Sequence, residues 1–248
     1  MYKAIKKNLK TLLPQFFVKI LVHMFGFYFD GYAQKSYSQE GEDMILKRLF
    51  EKQSTGFYID VGAHHPRRFS NTYLFYKKGW RGINIDAMPN SMKRFNRFRP
   101  RDINIEKPIS GKKQILTYYG FNEPALNGFS KELSEERNGK SGYFIEFTHD
   151  IETCTLEEVL DNNLPESQEI DFLSIDVEGL DFEVLKSNNF KKYRPKIILI
   201  EILNSSLNDI QKNKVSIYLK SADYHVYAKS INTVVFIDNF FLKEFQIR

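Results

Sequence analysis

The sequence lacks several features that would place it in a familiar class of protein. Cys154 is the only cysteine among 248 residues, which excludes a disulfide framework and a zinc cluster built from thiolates. A reducing cytoplasm is therefore the expected compartment. Residues 12–29 are apolar, but Pro14 and Lys19 interrupt them, and a membrane-spanning helix needs about 20 clean apolar residues. The sequence shows no internal repeat and no low-complexity tract.

Composition and charge predict one folded domain with a short appendage. Hydrophobic residues make up 42% and aromatic residues 15% of the chain, which supports a packed core and excludes a disordered chain. We expect a basic, apolar helical segment at 1–30 and an α/β domain at 31–248. The net charge of +5 fits an anionic partner, or only a solvated surface in the cluster from Lys93 to Arg101. Residues 1–30 would pack on the domain or a partner, or lie on an anionic membrane.

An apolar strand that ends in Asp-x-Gly is the first informative motif. Residues 57–66 read FYIDVGAHHP, and a second apolar strand ends at Asp86. This spacing is typical of a βαβ unit that holds a nucleoside by its ribose hydroxyls. A dinucleotide site needs further glycines to cradle the pyrophosphate, but Gly62 is followed by Ala63, His64, His65 and Pro66. S-adenosylmethionine carries a ribose and no phosphate, so the motif favours this cofactor over NAD.

Apolar strands alternate with helical patterns along the chain. After the first strand, we predict strands at 83–86, 103–105, 170–176, 196–202, 224–228 and 233–237. Helices are predicted at 70–78, 90–99, 156–160, 180–187 and 207–221, after an earlier helix that Ser38 caps. The last two strands are joined by a short turn, which predicts an antiparallel edge to the sheet. Residues 114–150 break this rhythm and indicate an irregular substrate loop or lid, or a surface hairpin without a catalytic role.

Two acids follow the buried strand at 170–176. Ligands bind outside the carboxyl ends of the strands in open α/β sheets, and Asp176 and Glu178 are two residues apart, so both side chains can point to one spot. Like charges held close together raise the pKa of one member, which prepares it to take a proton from a hydroxyl. Alternatively, the pair and Glu201 could hold a divalent cation, or either acid could only cap the helix that begins near Leu180.

Six motifs in order give the chain a resemblance to a known family. These motifs are SQ-x-GED at 38–43, FYIDVGAHHP at 57–66, SNT at 70–72, GW-x-GI-x-ID at 79–86, TLE at 155–157, and IDVEG at 175–179 followed by VLK at 184–186. Together they resemble the FkbM-type methyltransferase family over about residues 38–204. The chain departs from the common pattern at positions 64–66, where many members carry an Asn and a further Gly.

The resemblance implies a fold, a cofactor and a set of site residues. The implied fold is Rossmann-like class I: a mostly parallel seven-stranded sheet with helices on both faces and an antiparallel edge strand. The implied reaction uses S-adenosylmethionine to methylate a hydroxyl of a sugar, glycan or related metabolite. Asp60, Gly62 and Asp86 would bind the cofactor, and we assign Ala63, His64 and Ser110 to the same site. Asp176 and Glu178 would line the reaction site, with His65 as the reserve base.

Three other functions remain in view. An NAD-type oxidoreductase would also use Asp86 but lacks the phosphate cradle. A nucleic-acid methyltransferase would suit the basic charge, yet the Asn/Asp-Pro-Pro-aromatic tetrad of amino-directed enzymes is absent, so we expect no nucleic-acid partner. A non-enzymatic, membrane-associated scaffold would give no reason for acids at three strand ends. We therefore expect a cytoplasmic enzyme, while membrane association of residues 1–30, metal dependence and oligomeric state stay open.

Overall fold

The computed structural model describes residues 14, 16, 17, 20, 23 and 24, and residues 33–247. The chain divides into two compact units, residues 1–36 and residues 37–248. In the first unit, the described positions 16, 17, 20, 23 and 24 have helical backbone, and most of the predicted segment at 1–30 lies outside the described residues. None of the described helices is both long and apolar enough to cross a membrane.

Strands and helices alternate through residues 37–247. The strands are β1 (Phe57–Val61), β2 (Arg81–Asp86), β3 (Ile103–Glu106), β4 (Ile115–Phe121), β5 (Ile145–Glu152), β6 (Phe172–Ile175), β7 (Ile197–Glu201), β8 (Tyr224–Lys229) and β9 (Thr233–Asp238). The helices are α1 (Glu42–Leu49), α2 (Tyr73–Lys77), α3 (Met92–Phe98), α4 (Lys131–Arg137), α5 (Leu156–Asn163), α6 (Asp181–Lys186), α7 (Lys214–Ser221) and α8 (Asn239–Ile247). Short 3-10 turns occur at Pro124–Leu126 and Ile210–Lys212.

Seven of the strands form one sheet in the order β3-β2-β1-β6-β7-β9-β8. The pairs from β3 to β7 are parallel, and β9 runs antiparallel to both β7 and β8. The predicted Rossmann-like sheet with an antiparallel pair at its edge is therefore confirmed. From β1 the order runs outward through β2 to β3, and from β6 it runs in the opposite direction to β7. Ligands bind at such a reversal, beyond the carboxyl ends of the strands.

The sheet is buried on both faces, which explains its continuous apolar strands. In β7, Ile198 and Ile200 pack with α5, α6 and α7 on one face. On the other face, Ile197 and Leu199 belong to the cluster that contains residues of α1, α2 and α8. Successive side chains of a strand point to opposite faces, so β1, β6, β7 and β9 contribute to both cores. The result is a rigid three-layer scaffold for the strand ends.

Two segments differ from the prediction in their regular structure. Residues 114–150 are more regular than expected, because β4 and β5 form an antiparallel ribbon with α4 between them. The predicted start of the helix at 207–221 is wrong, because the helix begins only at Lys214. Asn213 has extended backbone and its side chain accepts a hydrogen bond from the Val215 N–H, which is the N-cap geometry that starts a new helix.

The start of α1 and the basic cluster also differ from expectation. The N-cap of α1 is Gly41, which has φ +90°, whereas the Ser38 hydroxyl accepts a hydrogen bond from the Asp43 N–H. Arg99, which the sequence places in a solvated cluster, is fully buried and pairs with Asp102 at 2.8 Å. Its guanidinium also donates to the Tyr58 hydroxyl at 2.7 Å, so this arginine belongs to the core.

Candidate active site

A cavity with about 120 Å³ of space that water can enter, partly open to solvent, lies at the carboxyl ends of β1, β2, β6 and β7. Because these strands are parallel and adjacent, the residues that follow them meet at one edge of the sheet. Gly62, His64, Asp86, Asp176, Glu178 and Glu201 all line this cavity. The structure thus brings together both constellations that the sequence indicates.

The turn after β1 requires a glycine. Gly62 has φ +82°, and a Cβ atom at this position would lie 1.7 Å from the Asp176 carbonyl oxygen. Both the left-handed backbone and the close contact therefore exclude a side chain. The Gly62 N–H donates to the Ile85 carbonyl at 2.9 Å, and the Asp176 N–H donates to the Val61 carbonyl at 3.0 Å. These bonds join the loops after β1, β2 and β6 around one glycine.

Asp86 is held with both carboxylate oxygens engaged by the backbone. Oδ2 accepts from the His64 N–H and Oδ1 from the Met88 N–H, each at 2.7 Å. Burial raises the pKa of Asp86 to about 6, although the two N–H donors work in the opposite direction. Each carboxylate oxygen has a second lone pair. Asp86 can therefore accept two further hydrogen bonds from a ligand in the cavity.

Only one of the other four residues that the sequence assigns to the cofactor lines the cavity. His64 lines the cavity, whereas Asp60, Ala63 and Ser110 do not belong to its lining. The Asp60 carboxylate is buried and accepts from the Thr72 hydroxyl at 2.8 Å. Ser110 is also buried, and its hydroxyl lies 2.7 Å from the Thr153 hydroxyl. In this structure, Asp60 and Ser110 support the loops around the cavity, and their roles in binding cofactor stay predictions.

The two histidines after Gly62 have different surroundings. His64 adopts a left-handed backbone, φ 52°, and its Nε2 is buried without a hydrogen-bond partner in the described part of the chain. His65 lies outside the cavity lining, and its Nδ1 accepts from the N–H groups of Arg67 and Arg68 at 3.1 and 3.0 Å. Burial, together with neighbouring cationic groups, lowers the pKa of both histidines. The predicted reserve base, His65, is thus held in a turn rather than directed into the cavity.

Asp176, Glu178 and Glu201 form an acidic cluster on the other side of the cavity. One carboxylate oxygen from each lies within 4.8 Å of the others. The Asp176 side chain is accessible from the cavity, yet protein atoms surround it and the charges of Glu201 and Glu178 lie nearby, so its pKa is raised well above the ordinary value. Burial and the neighbouring acids also raise the pKa of Glu201 to about 8. Glu201 therefore holds its proton at neutral pH more tightly than an ordinary carboxylate does.

Arg137 distinguishes Glu178 from Asp176. The Arg137 guanidinium at the end of α4 lies 2.6 Å from Glu178 Oε2, with both side chains largely buried. Burial raises the pKa of Glu178 and Arg137 opposes that shift. Glu178 is thus fixed by a charge-assisted hydrogen bond, whereas Asp176 has no such cation among the described residues. The Asp176 carboxylate is therefore the better placed of the two to accept a proton.

Asp181 holds the loop that presents these acids. Its two carboxylate oxygens accept from the N–H groups of Val177 and Gly179, each at 3.0 Å. Glu178 lies between them with φ 53°, a left-handed backbone that is costly for a residue with a side chain. The hydrogen bonds to Asp181 stabilise this conformation and direct Glu178 toward Arg137. Sequence analysis missed Asp181, although a third acid in DVEGLD was visible.

The segment that holds the β4–β5 ribbon forms part of the cavity wall. Tyr118 and Phe129 line it, with ring centroids 5.1 Å apart in an edge-to-face arrangement. Tyr118 is buried, and burial and then the charge of Asp86 raise its pKa. On the other side, a Cβ added to Gly128 would lie 3.0 Å from the Glu178 Cβ. The segment after β3 therefore contacts Glu178 and lies close enough to Asp86 for its charge to act on Tyr118.

The sequence analysis also missed residues that come from distant parts of the chain. Glu40 and Glu42 line the cavity from the start of α1, and Asn71 lines it before α2. Glu40 accepts from the Asn232 N–H at 2.9 Å, which joins the first motif to the turn between β8 and β9. The sequence signal was the SQ-x-GED motif, which supported a resemblance and a helix start but no role in the site.

The fold and the cavity together define a Rossmann-like methyltransferase arrangement. A scan against protein families matches residues 60–242 to the Methyltransferase FkbM domain. This match covers more than half of the chain, so the protein belongs to the FkbM methyltransferase family, as the motifs predict. A methyltransferase of this kind acts on a small-molecule acceptor. A comparison with curated proteins found no match.

Proposed function

We propose that the protein transfers a methyl group from S-adenosylmethionine to a hydroxyl oxygen of a sugar, glycan or related metabolite. The observation that carries this proposal is one cavity with two kinds of carboxylate. Asp86 is stabilised by two backbone N–H groups at 2.7 Å, and Asp176 is surrounded by other acids that raise its pKa. The first suits a ligand with vicinal hydroxyls, and the second suits proton transfer.

The cofactor would bind with its ribose at Asp86 and its adenine toward the β4–β5 ribbon. Ile109, Tyr118 and Phe129 supply apolar and aromatic surface on this side. The methionine part would extend past Gly62 toward Asn71 and Gln39, which line the cavity near the acids of α1. S-adenosylmethionine has a positively charged sulfonium, and the six carboxylates of the lining against the single lysine, Lys107, favour a cation.

The reaction needs alignment and removal of one proton. The acceptor oxygen attacks the methyl carbon in line, the C–O bond forms, the C–S bond breaks, and S-adenosylhomocysteine leaves with the bonding electrons. The hydroxyl proton passes to the Asp176 carboxylate. A raised pKa makes Asp176 a stronger base once it is ionised, and the buried acids beside it retain the proton until product leaves.

Calorimetry with three ligands tests the cofactor. We expect S-adenosylmethionine and S-adenosylhomocysteine to bind with one site per chain and NAD to bind far more weakly, because the turn after Gly62 lacks the glycines that a pyrophosphate needs. An NAD affinity equal to that of S-adenosylhomocysteine would contradict the proposal and favour an oxidoreductase.

A metal-assisted reaction is the second candidate, because Asp176, Glu178 and Glu201 place three oxygens within 4.8 Å of one another. Carboxylate oxygens suit a divalent cation, which would lower the pKa of these acids. Arg137 competes for Glu178, since it lies 2.6 Å from Oε2. If a metal binds, Mg²⁺ or Mn²⁺ should raise the melting temperature of the wild type and not of Glu201→Gln. An equal rise in melting temperature in both proteins, or no rise in either, would contradict the metal-assisted reaction.

The role of residues 1–30 at an anionic membrane stays a separate prediction. Each lysine near such a surface contributes on the order of 1 kcal/mol, and salt weakens this attraction. A chain that begins at Tyr37 should bind S-adenosylhomocysteine as the full chain does but lose salt-sensitive sedimentation with phosphatidylglycerol vesicles. If the full chain does not sediment with the vesicles, the membrane interpretation is wrong.

A further inference from the structure

Three exposed arginines form a basic surface at the mouth of the cavity, which we call the arginine rim. Arg67 and Arg68 follow the His64–His65 turn, and Arg94 lies on α3. Phe69, the next residue along the chain, lines the cavity itself and is 42% exposed. The charges of Arg68 and Arg94 act on His64, which also lines the cavity. The arginine rim therefore lies beside residues of the cavity wall.

Backbone hydrogen bonds and ring stacking hold the arginine rim in place. The N–H groups of Arg67 and Arg68 both donate to His65 Nδ1, at 3.1 and 3.0 Å. The Arg67 guanidinium lies 4.5 Å from the Phe98 ring centroid, and the Arg68 guanidinium 4.3 Å from that of Phe69. Stacked guanidinium groups have lost part of their rotamer freedom before a ligand binds, and their N–H forks remain available at the edges.

The positive charge of the arginine rim is only partly compensated. Arg68 lies 3.6 Å from Glu123 in a pair that is half exposed. Neither Arg67 nor Arg94 has a carboxylate within ion-pair distance among the residues that the structure describes. Burial is the largest cause of the lowered pKa of His65, and the charges of Arg94, Arg68 and Arg67 lower it further. All three arginines are therefore near this histidine. Three cationic groups therefore lie beside a single ion-paired acid, Glu123, among the described residues.

The interior of the cavity has the opposite charge. Five acids, in addition to Asp86, line the cavity: Glu40, Glu42, Asp176, Glu178 and Glu201. An anionic group would be repelled from this interior and attracted to the arginine rim. A molecule that carries a neutral hydroxyl at one end and an anionic group at the other would therefore bind in one orientation, with its hydroxyl toward Asp176.

We propose that the arginine rim binds the phosphate or diphosphate of a phosphorylated methyl acceptor. This inference rests on the proposed function and adds the chemical class of the acceptor. Planar guanidinium forks match the oxygens of a phosphate and donate two hydrogen bonds at once. The aromatic rings of Phe69 and Phe98 beside the arginine rim can pack against the sugar or lipid part of the same molecule. A flat anionic membrane could also contact such a surface, and the test separates it.

Calorimetric titration with inorganic pyrophosphate at low salt tests the proposal. The variant is Arg67→Ala/Arg94→Ala, which keeps the Arg68–Glu123 pair. The matched control is Lys191→Ala/Lys220→Ala, which removes the same charge at two exposed positions elsewhere. We expect the wild type and the control to bind pyrophosphate with similar affinity and the arginine variant to bind at least tenfold more weakly, which is about 1.4 kcal/mol. Arg94→Glu alone provides a second variant if the double variant does not fold.

Three measurements on the same preparations separate the outcomes. S-adenosylhomocysteine binding reports the proposed function, and it should be equal in the wild type, the arginine variant and the control. Equal pyrophosphate binding in the arginine variant and the control would overturn the assignment of the arginine rim. If the wild type ignores pyrophosphate but sediments with phosphatidylglycerol vesicles through Arg67 and Arg94, the surface is a membrane contact and the phosphorylated acceptor is wrong.

Discussion

The carboxylates on the two sides of the cavity have different surroundings and different pKa values. On the β2 side, Asp86 is buried but receives two backbone N–H donors, and its pKa rises only to about 6. On the β7 side, Glu201 lies among other acids, and its pKa rises to about 8. The first environment suits the ribose contact that we propose, and the second suits the proton transfer that we propose. Burial is the largest cause of both pKa shifts, and the two groups differ because Asp86 also receives N–H donors whereas Glu201 lies near like charges.

The largest expected effect comes from removing the reactive carboxylate. Asp176→Asn should lower turnover by about 10² to 10⁴, the usual contribution of a general base. S-adenosylhomocysteine binding should remain, because the Asp176 contact to the turn after β1 is made by its backbone. Single-turnover kinetics and calorimetry on the same sample measure the two quantities. Asp161→Asn, an exposed acid of α5, is the control. Full turnover in Asp176→Asn and Glu178→Gln would direct attention to His64 and His65.

Removal of the binding carboxylate should act on affinity instead. Asp86→Ala should weaken S-adenosylhomocysteine binding by about 2 to 3 kcal/mol, the scale for losing hydrogen bonds to a charged group. Glu106→Gln, at the end of the neighbouring strand β3, is the matched control and should bind normally. Calorimetry gives both dissociation constants. An unchanged constant in folded Asp86→Ala would remove the ribose contact from the proposal.

Arg137 connects the inserted segment to the reactive side. Its guanidinium opposes the rise in pKa that burial causes in Glu178 and Glu201. Arg137→Met should therefore raise the pKa of both carboxyls further. The acidic limb of the pH–rate profile should then move to higher pH, and turnover at pH 7 should fall by about tenfold, the equivalent of one pKa unit. Lys131→Met, on the exposed side of the same helix, should change neither. Arg137→Lys should restore part of the wild-type profile, and an unmoved limb in Arg137→Met would refute this role.

The smallest effect concerns stability. The pKa of Glu201 is about 8 in the folded chain and about 4.3 when unfolded, so the folded state binds this proton more tightly. The stability from this proton is complete below pH 4 and is lost as the pH rises through 8. The melting temperature of Glu201→Gln should therefore exceed that of the wild type at pH 9. The difference should be roughly 2 to 4 °C for each kcal/mol gained in the free energy of unfolding. The melting temperatures of Glu201→Gln and the wild type should differ little at pH 5. The control Glu166→Gln, at an exposed position, should melt with the wild type at both pH 5 and pH 9.

The sequence predicted the features that depend on local patterns. Buried strands, the reversal of direction at β9 and the pairing of Asp176 with Glu178 follow from apolar runs, short turns and spacing by two. The motif resemblance predicted the family, which the match to residues 60–242 confirms. Each of these signals lies within a few neighbouring residues.

Contacts between distant segments could not be predicted. Arg137 and Glu178 are 41 residues apart in the chain, and no local pattern connects them. Glu40 reaches the turn at Asn232 across 192 positions. The different roles of Asp176 and Glu178 depend on which of them receives the arginine. That choice follows from the packing of α4 against the loop after β6, and the sequence alone left it open.

The β4–β5 ribbon leaves and rejoins the main domain at nearly the same place. The Thr153 N–H donates to the Gln114 carbonyl at 2.8 Å, and Ile109 bridges to Cys154 just outside the ribbon. A segment whose two ends meet can be exchanged for another of different length without moving the strands that it connects. The ribbon can thus be exchanged as one unit, and because the segment carries both Tyr118 and Arg137, its exchange would change two walls of the cavity while Asp86 and Gly62 stay in the chain.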